Sequence, residues 1–260
     1  MIAAVQQTHF GHLPVGVYPD NTALGQAAAE RAARILAEAV AAHGRANVIL
    51  ATGNSQLSLY AALRQRSDIE WARIQIFHMD EYVGIAPDHP ASFRRYLREQ
   101  IVEPVQPAAF YPLNADAADA QAECERYAVL LARYPADLCC LGFGENGHLA
   151  FNDPAFARFD DDVPVKLVEL DEISRRQQVG EGYFAALTDV PRQAITLTIP
   201  ALLSAQRMLA IVPEERKAEA VLAALTGPIS TACPASILRT VTHAELFLDR
   251  DSFSLVNGAH

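Results

Sequence analysis

Three short apolar runs end in loops carrying glycine, hydroxyl, carboxylate and imidazole groups. Val48-Ile49-Leu50-Ala51 leads into Thr52-Gly53-Asn54-Ser55. Ile74-Gln75-Ile76-Phe77 leads into His78-Met79-Asp80-Glu81-Tyr82. Leu138-Cys139-Cys140-Leu141 leads into Gly142-Phe143-Gly144-Glu145-Asn146-Gly147-His148. In an open α/β sheet the ligand crevice lies outside the carboxyl ends of the strands, so three such junctions can meet in one site. Each offers a different chemistry.

Gly53, set among small polar residues just before a helix start at Gln56, makes a generic anion cradle. Exposed backbone N–H groups and the helix dipole there favour a phosphate. The same pattern also fits a plain strand-to-helix turn, and no Gly-Lys-Ser/Thr follows to make it a Walker loop. Asp80 and Glu81 can bind a metal, act as a base or be solvated. Adjacent residues on an extended chain face opposite ways, so one of the two faces a ligand. The eight histidines do not cluster at metal-ligand spacing, so no metal site is predicted and a general base is favoured. His148 either moves protons near neutral pH or only orients its loop. Lys217, within Pro213-Glu214-Glu215-Arg216-Lys217, either reaches a phosphate as a point charge or forms a solvated helix start with Arg216.

Gly142-Phe143-Gly144-Glu145-Asn146-Gly147 also matches the dinucleotide fingerprint G-x-G-x-x-G. That fingerprint should open a long helix, yet Pro154 follows Gly147 by only seven residues. A proline so close stops or distorts such a helix, which counts against nicotinamide binding.

The elements positioning these residues alternate between helix and strand, which predicts a single open, mostly parallel sheet with helices on both faces, Rossmann-like. A helix is expected over Thr22–His43, started by Asp20-Asn21 and stopped by Gly44. Others are expected over Gln56–Arg66, Ala91–Val102, Ala115–Arg133 (capped by Asn114 or Asp116) and Glu214–Leu225. Further strands are expected at Ala194–Ile199, closed by Pro200, at Met208–Val212, and as a short last strand at Leu246–Leu248. The stretch 153–182, with two prolines, the run Asp160-Asp161-Asp162 and the block Ser174-Arg175-Arg176-Gln177-Gln178, reads either as a lid over the site or as a surface crossover.

The chain has 260 residues, with neither repeats nor linker-like segments, and reads as one domain over 1–260. With 51% hydrophobic and 20% charged residues it can bury a sizeable core. A net charge of -10 counts against general binding to nucleic acid or to anionic membrane. Apolar runs fall short of the about 18 residues of a membrane span, and a secretory signal is not evident. The four cysteines form no C-x-x-C pair and read as buried, reduced thiols of a cytoplasmic protein.

Phe77-His78-Met79-Asp80-Glu81-Tyr82-Val83-Gly84, the following His89-Pro90-x-Ser92, and Gly142-x-Gly144-x-Asn146-Gly147-His148-Leu149-Ala150-Phe151-Asn152-Asp153-Pro154 resemble the glucosamine-6-phosphate deaminase family. Its wider circle includes the 6-phosphogluconolactonases. The resemblance continues through Thr52-Gly53-Asn54-Ser55, Lys217-Ala218 and Ile229-Ser230-Thr231-Ala232-Cys233-Pro234-Ala235-Ser236, and so covers most of the chain in order. The lactonases typically continue after the histidine with Thr-Ala-Ser rather than Leu-Ala-Phe-Asn.

The resemblance implies opening of the glucosamine 6-phosphate ring, aldose–ketose isomerisation through an enolamine, and release of ammonia and fructose 6-phosphate. No metal or organic cofactor is required for that chemistry. Asp80 matches the base that moves the proton between C2 and C1. His148 matches the ring-opening proton carrier, and Asn146 and Asp153 its two polar partners. Thr52, Gly53, Asn54, Ser55 and Lys217 match the phosphate grip, with Arg175 or Arg176 as the expected helper and Glu81 as a further substrate contact. Asn146 stands where the family often has an acid, and Asp153 where it often has glutamate. The shorter Asp153 predicts a lost or water-mediated contact with His148. After Pro154 the chain offers Val163-Pro164-Val165-Lys166 instead of a basic cluster for an N-acetylated activator, so hyperbolic kinetics are expected.

The expected partner is a phosphorylated amino sugar, without nucleic acid or membrane, and a homo-oligomer stays open. Two rival readings stand beside this one. In a lactonase His148 would activate water. A non-catalytic sugar-phosphate sensor would need the phosphate grip but neither proton carrier.

Overall fold

The computed structural model describes residues 2–170, 172–180 and 182–257. The chain opens with an antiparallel hairpin, β1 (Gln6–Phe10) and β2 (Leu13–Tyr18). It continues through helix α1 (Asn21–His43), β3 (Ala46–Leu50), helix α2 (Leu57–Arg64), β4 (Ile74–His78) and β5 (Asp80–Tyr82). Helix α3 (Phe93–Leu97), β6 (Ala109–Tyr111), the helix Ala120–Arg133, β7 (Leu138–Leu141) and β8 (Val165–Glu169) come next. The helix Glu172–Gly180, β9 (Gln193–Leu197), β10 (Met208–Val212), the helix Ala218–Thr226 and β11 (Ala244–Asp249) follow.

The main sheet has the order β1-β2-β11-β10-β7-β3-β4-β6. All its neighbours pair in parallel except the β1–β2 hairpin. From β3 the chain first builds outward through β4 and β6. It then returns to the other side of β3 with β7 and builds away through β10 and β11. The order therefore reverses between β3 and β7, and that switch point is where such sheets open a crevice for ligand. A second, antiparallel sheet has the order β5-β9-β8. Met79 alone separates β4 from β5, so the chain passes from one sheet to the other there.

Helices cover both faces, as expected. Val48 and Leu50 of β3 join one apolar cluster with Leu24, Ala28 and Leu59 of α1 and α2. Ile49 between them joins another with Tyr127 and Val221. Cys139 and Cys140 split between the same two clusters, and burial pushes both thiols up, Cys140 to about 12. At such values they stay protonated and inert at neutral pH.

Helix α1 begins one residue before the expected Thr22 and ends at His43 as expected. The Asp20 carboxylate accepts from the Ala23 N–H at 2.8 Å. Gly44, at φ +75°, closes the helix with its N–H donated to the Val40 carbonyl. Left-handed backbone at this position favours glycine.

Other boundaries differ from expectation. The helix before β7 starts at Ala120, capped by Asp119 rather than by Asn114 or Asp116. Asn114 is engaged elsewhere, its N–H donating to the Glu123 carboxylate at 2.6 Å. The strand at 194 stops at Leu197, and Pro200 does not close it. Pro200 instead sits in the first turn of a short helix, Ile199–Leu203, capped by Thr198, where a missing N–H costs nothing. β11 is longer than expected and interior. The hairpin β1–β2, β5, β6 and β8 were not expected at all. The 153–182 segment is not irregular throughout: it supplies β8 to the second sheet and the helix Glu172–Gly180. Among the described residues, no helix is long and apolar enough to cross a membrane.

Helix α1 lies against α2 with almost no clearance. A Cβ added at Gly25 would come 2.5 Å from the Ser58 carbonyl carbon. Gly25→Ala gains about 1 kcal/mol of helix propensity but overpacks the contact, which typically costs about 1–3 kcal/mol. The urea midpoint should fall. A midpoint equal to or above wild type would show that the two helices separate at no cost.

Candidate active site

The pocket at the switch point is lined by the loops after β3 and β7, by Asp80 at the start of β5, and by Lys217 after β10. Thr52, Gly53, Asn54 and Ser55 all line it. Gly53 adopts φ +103°, a left-handed backbone region that disfavours any side chain. The loop is pinned from below by two tyrosine hydroxyls. Tyr60 donates to the Ala51 carbonyl, and Tyr96 donates to the Gly53 carbonyl at 2.7 Å. A fixed loop can present its N–H groups without reorganising when an anion arrives.

Lys217 reaches the same pocket from the turn after β10 and is only 6% exposed. That turn depends on Glu214, whose φ is +83°. The buried Asp249 carboxylate, at the end of β11, holds it by accepting the Glu214 N–H at 3.0 and 3.2 Å. Arg216 also lines the pocket. Its sequence signal was plain charge next to Lys217, which a solvated helix start explains equally well.

Asp80 and Glu81 face opposite ways, and only Asp80 lines the pocket. Its Oδ1 is buried with no hydrogen-bond partner. Burial, and secondarily the Glu81 charge, push its carboxyl well above the usual range. Glu81, expected as a substrate contact, does not line the pocket. It is fully buried and binds the start of α3, accepting from the Phe93 and Arg94 N–H groups at 3.1 and 2.9 Å and from the Ser92 hydroxyl at 2.9 Å. A fourth bond comes from the Tyr82 N–H. Burial raises the Glu81 carboxyl, and these four hydrogen bonds oppose the rise.

His148 lines the same pocket, with its Nδ1 between two oxygens, 2.9 Å from Asn146 Oδ1 and 3.0 Å from Asp153 Oδ1. The Asn146 amide donates to Asp153 Oδ1 at 2.8 Å, and its oxygen also accepts the His148 N–H. Two acceptors at Nδ1 make that nitrogen the proton-bearing one and leave Nε2 for chemistry. The expected loss of the Asp153–His148 contact does not occur. Asparagine bridges the pair, accepting from one partner and donating to the other.

Gly144 is required by this arrangement, since a Cβ there would lie 2.0 Å from the His148 ring. Its place in a dinucleotide-like pattern therefore has a local cause. No helix opens after Gly147; turns and the Leu149–Asn152 bridge follow instead. At Gly147, φ is +79° and a Cβ would meet Cys233 Sγ at 2.5 Å. The Ala235 N–H donates to the Gly147 carbonyl at 2.8 Å, so the 229–236 block backs the histidine loop.

Arg175 and Arg176 are not at the pocket. Arg175 donates to the Leu187 and Val190 carbonyls at 2.6 and 2.9 Å, and Arg176 pairs with Glu172 on the surface. Their helix instead sends Gln178 to the pocket wall, where its amide oxygen accepts from the buried Tyr82 hydroxyl at 2.7 Å. Among the described residues no group of three or more histidine, cysteine, aspartate or glutamate side chains could hold a metal ion.

A family model described as glucosamine-6-phosphate isomerases/6-phosphogluconolactonase matches residues 19–247. The glucosamine-6-phosphate deaminase of Exiguobacterium sibiricum is 35% identical over 208 residues, 80% of each chain. That of Bacillus thuringiensis is 34% identical over 231 residues, 89% of this chain and 86% of the relative. A solved structure described as a monomeric glucosamine-6-phosphate deaminase superposes with a TM-score of 0.84 at 31% identity, covering 93% of this chain and 99% of its own. A 6-phosphogluconolactonase from Shewanella baltica shares the fold, with a TM-score of 0.75 at 24% identity over 90% of this chain and 97% of its own.

The unpaired Asp80 carboxylate carries a stability signature. Its native pKa lies above the unfolded value, so its contribution is full below the ordinary aspartate range near pH ~4 and is lost as pH rises through the native value. Asp80→Asn removes the ionisation. The variant should therefore match wild type in melting temperature near pH 4 and exceed it increasingly toward pH 8. A difference independent of pH would show that no charge is being buried.

Proposed function

The chain belongs to the glucosamine-6-phosphate isomerase/6-phosphogluconolactonase family, and we propose that it is a glucosamine-6-phosphate deaminase, turning glucosamine 6-phosphate and water into fructose 6-phosphate and ammonia. The observation that carries this reading is that two proton-handling groups line one pocket. One is the buried Asp80 carboxylate, whose Oδ1 has no hydrogen-bond partner. The other is the His148 ring, tied at Nδ1 by Asn146 and Asp153. A sensor would need neither group.

The roles follow from chemistry. The Thr52–Ser55 loop and Lys217 hold the phosphate. His148, working through Nε2, moves the proton that opens the pyranose ring. Asp80 takes the proton from C2 and returns it to C1, passing through the enolamine. Water then displaces ammonia from C2. A carboxylate with a raised pKa is a stronger base than a solvated one, which suits removal of a carbon-bound proton. The lactonase alternative would use His148 but leave Asp80 without a task. The Leu149-Ala150-Phe151-Asn152 sequence after the histidine also favours the deaminase branch. The whole site is read as belonging to one domain over 1–260. It needs no metal or organic cofactor, and a homo-oligomer stays open. The phosphorylated substrate and the four free thiols suit a cytoplasmic enzyme.

Ammonia release across a panel of phosphorylated aldoses, amino sugars and lactones tests the reading directly; lactone hydrolysis without ammonia release would reverse it. Asp80→Asn should cut turnover by about 10²–10⁴-fold while substrate affinity stays near wild type. Turnover within threefold of wild type would remove Asp80 from the role of base. Lys217→Ala should weaken binding of the phosphorylated sugar by about 1.5–3 kcal/mol and leave the unphosphorylated sugar unchanged. Equal losses for both sugars, measured by calorimetry, would make Lys217 structural.

A further inference from the structure

We propose that Arg216 is the second cation of the phosphate end of the pocket, anchored there by Glu214, and that it sets the preference for a phosphorylated over an unphosphorylated sugar. The proposal rests on reading the pocket as a sugar-phosphate site.

A phosphate monoester carries roughly −1.5 to −2 charge at neutral pH, more than one ammonium balances. The cations expected beside Lys217, Arg175 and Arg176, are turned into other contacts. Apart from His148, Arg216 and Lys217 are the cationic residues lining the pocket among the described residues. They are consecutive in one tight turn, Glu215–Lys217, so a ligand held by one lies within reach of the other.

Arg216 is placed by design of that turn. Its Nε donates to Glu214 Oε2 at 2.5 Å. Its contact with Glu145 on the histidine loop is longer, 3.4 Å, between partly exposed groups. Such a contact is worth little and yields readily to a phosphate oxygen. The guanidinium has five donors, and the anchor at Nε uses one of them. Glu214 reaches this position only with φ +83°, a conformation that costs a non-glycine residue free energy. Glycine would adopt the turn more cheaply but would remove the carboxylate. The strain is held by the buried Asp249, and what it secures is the anchor for Arg216.

The test measures ammonia-release kinetics with glucosamine 6-phosphate and glucosamine, and calorimetric binding of inorganic phosphate, for wild type, Arg216→Ala, Arg216→Lys and Glu214→Gly. Arg216→Ala should raise KM for the phosphorylated sugar and Kd for phosphate roughly 10- to 100-fold, with little change in kcat and none for the unphosphorylated sugar. Arg216→Lys should recover only part of the loss, because an ammonium cannot both hold Glu214 and present a fork. Glu214→Gly should melt no lower than wild type and still lose phosphate affinity, an outcome a merely structural glutamate would not produce. Phosphate affinity unchanged in Arg216→Ala overturns the inference, whether or not the enzyme releases ammonia. Phosphate affinity lost in Arg216→Ala, with no ammonia released by wild type, supports the inference and overturns the proposed function instead.

Discussion

The site depends on keeping one carboxylate without a hydrogen-bond partner at the seam between two sheets. Burying such a group is costly unless something else fixes the backbone around it. Glu81 does this. Four hydrogen bonds bind it to the start of α3 and to its own strand. Because adjacent side chains on extended chain point opposite ways, holding Glu81 inward on one face commits Asp80 to the pocket on the other. The two carboxylates look alike in sequence and do opposite jobs: one is saturated with donors so that the other can be left with an oxygen unpaired.

The same division recurs at His148. Asn146 supplies both a donor and an acceptor, and so satisfies Asp153 and His148 at once. A carboxylate at position 146 would face Asp153 with like charge at hydrogen-bond distance. The neutral amide avoids that and lets a shorter acid at 153 still reach the ring. Asn146 and Asp153 are thus coupled in this chain, both meeting at the His148 ring.

Much of this was legible in the sequence because strand-to-loop junctions are local patterns. The runs at 48–51, 74–77 and 138–141 identify parallel strands, and the sheet's switch point brings two of their loops together. Asp80, His148, Asn146, Asp153, Lys217 and the 52–55 loop could all be named from those junctions and from the family resemblance. What was not legible is set by side-chain direction and by pairing over long distances. Arg175 and Arg176 share a polar stretch with Gln178, and only the winding of the helix decides which of them reaches the wall. Glu81 reads as an active-site acid until α3 is known to start 12 residues later against it. The strands β5 and β6 escaped because three residues leave no apolar alternation to read, and β1 because it is mostly polar; the buried alternation of Leu13, Val15 and Val17 in β2 was legible.

The placement of β11 bears on how the chain assembles. Among the described residues it is the last strand in chain order, yet it lies inside the sheet, between β2 and β10. Until it emerges during synthesis, the amino-terminal hairpin has no parallel neighbour, and the edge of β10 stays open. A sheet completed by pairing strands more than 200 residues apart, such as Leu246 with Val15, has high contact order and closes slowly. Its nascent form therefore exposes an unpaired strand edge until β11 is made, a period in which it depends on being kept from pairing with other chains. The buried Asp249 closes that same last strand, so the turn bearing Arg216 and Lys217 takes its final shape only when the sheet itself is complete.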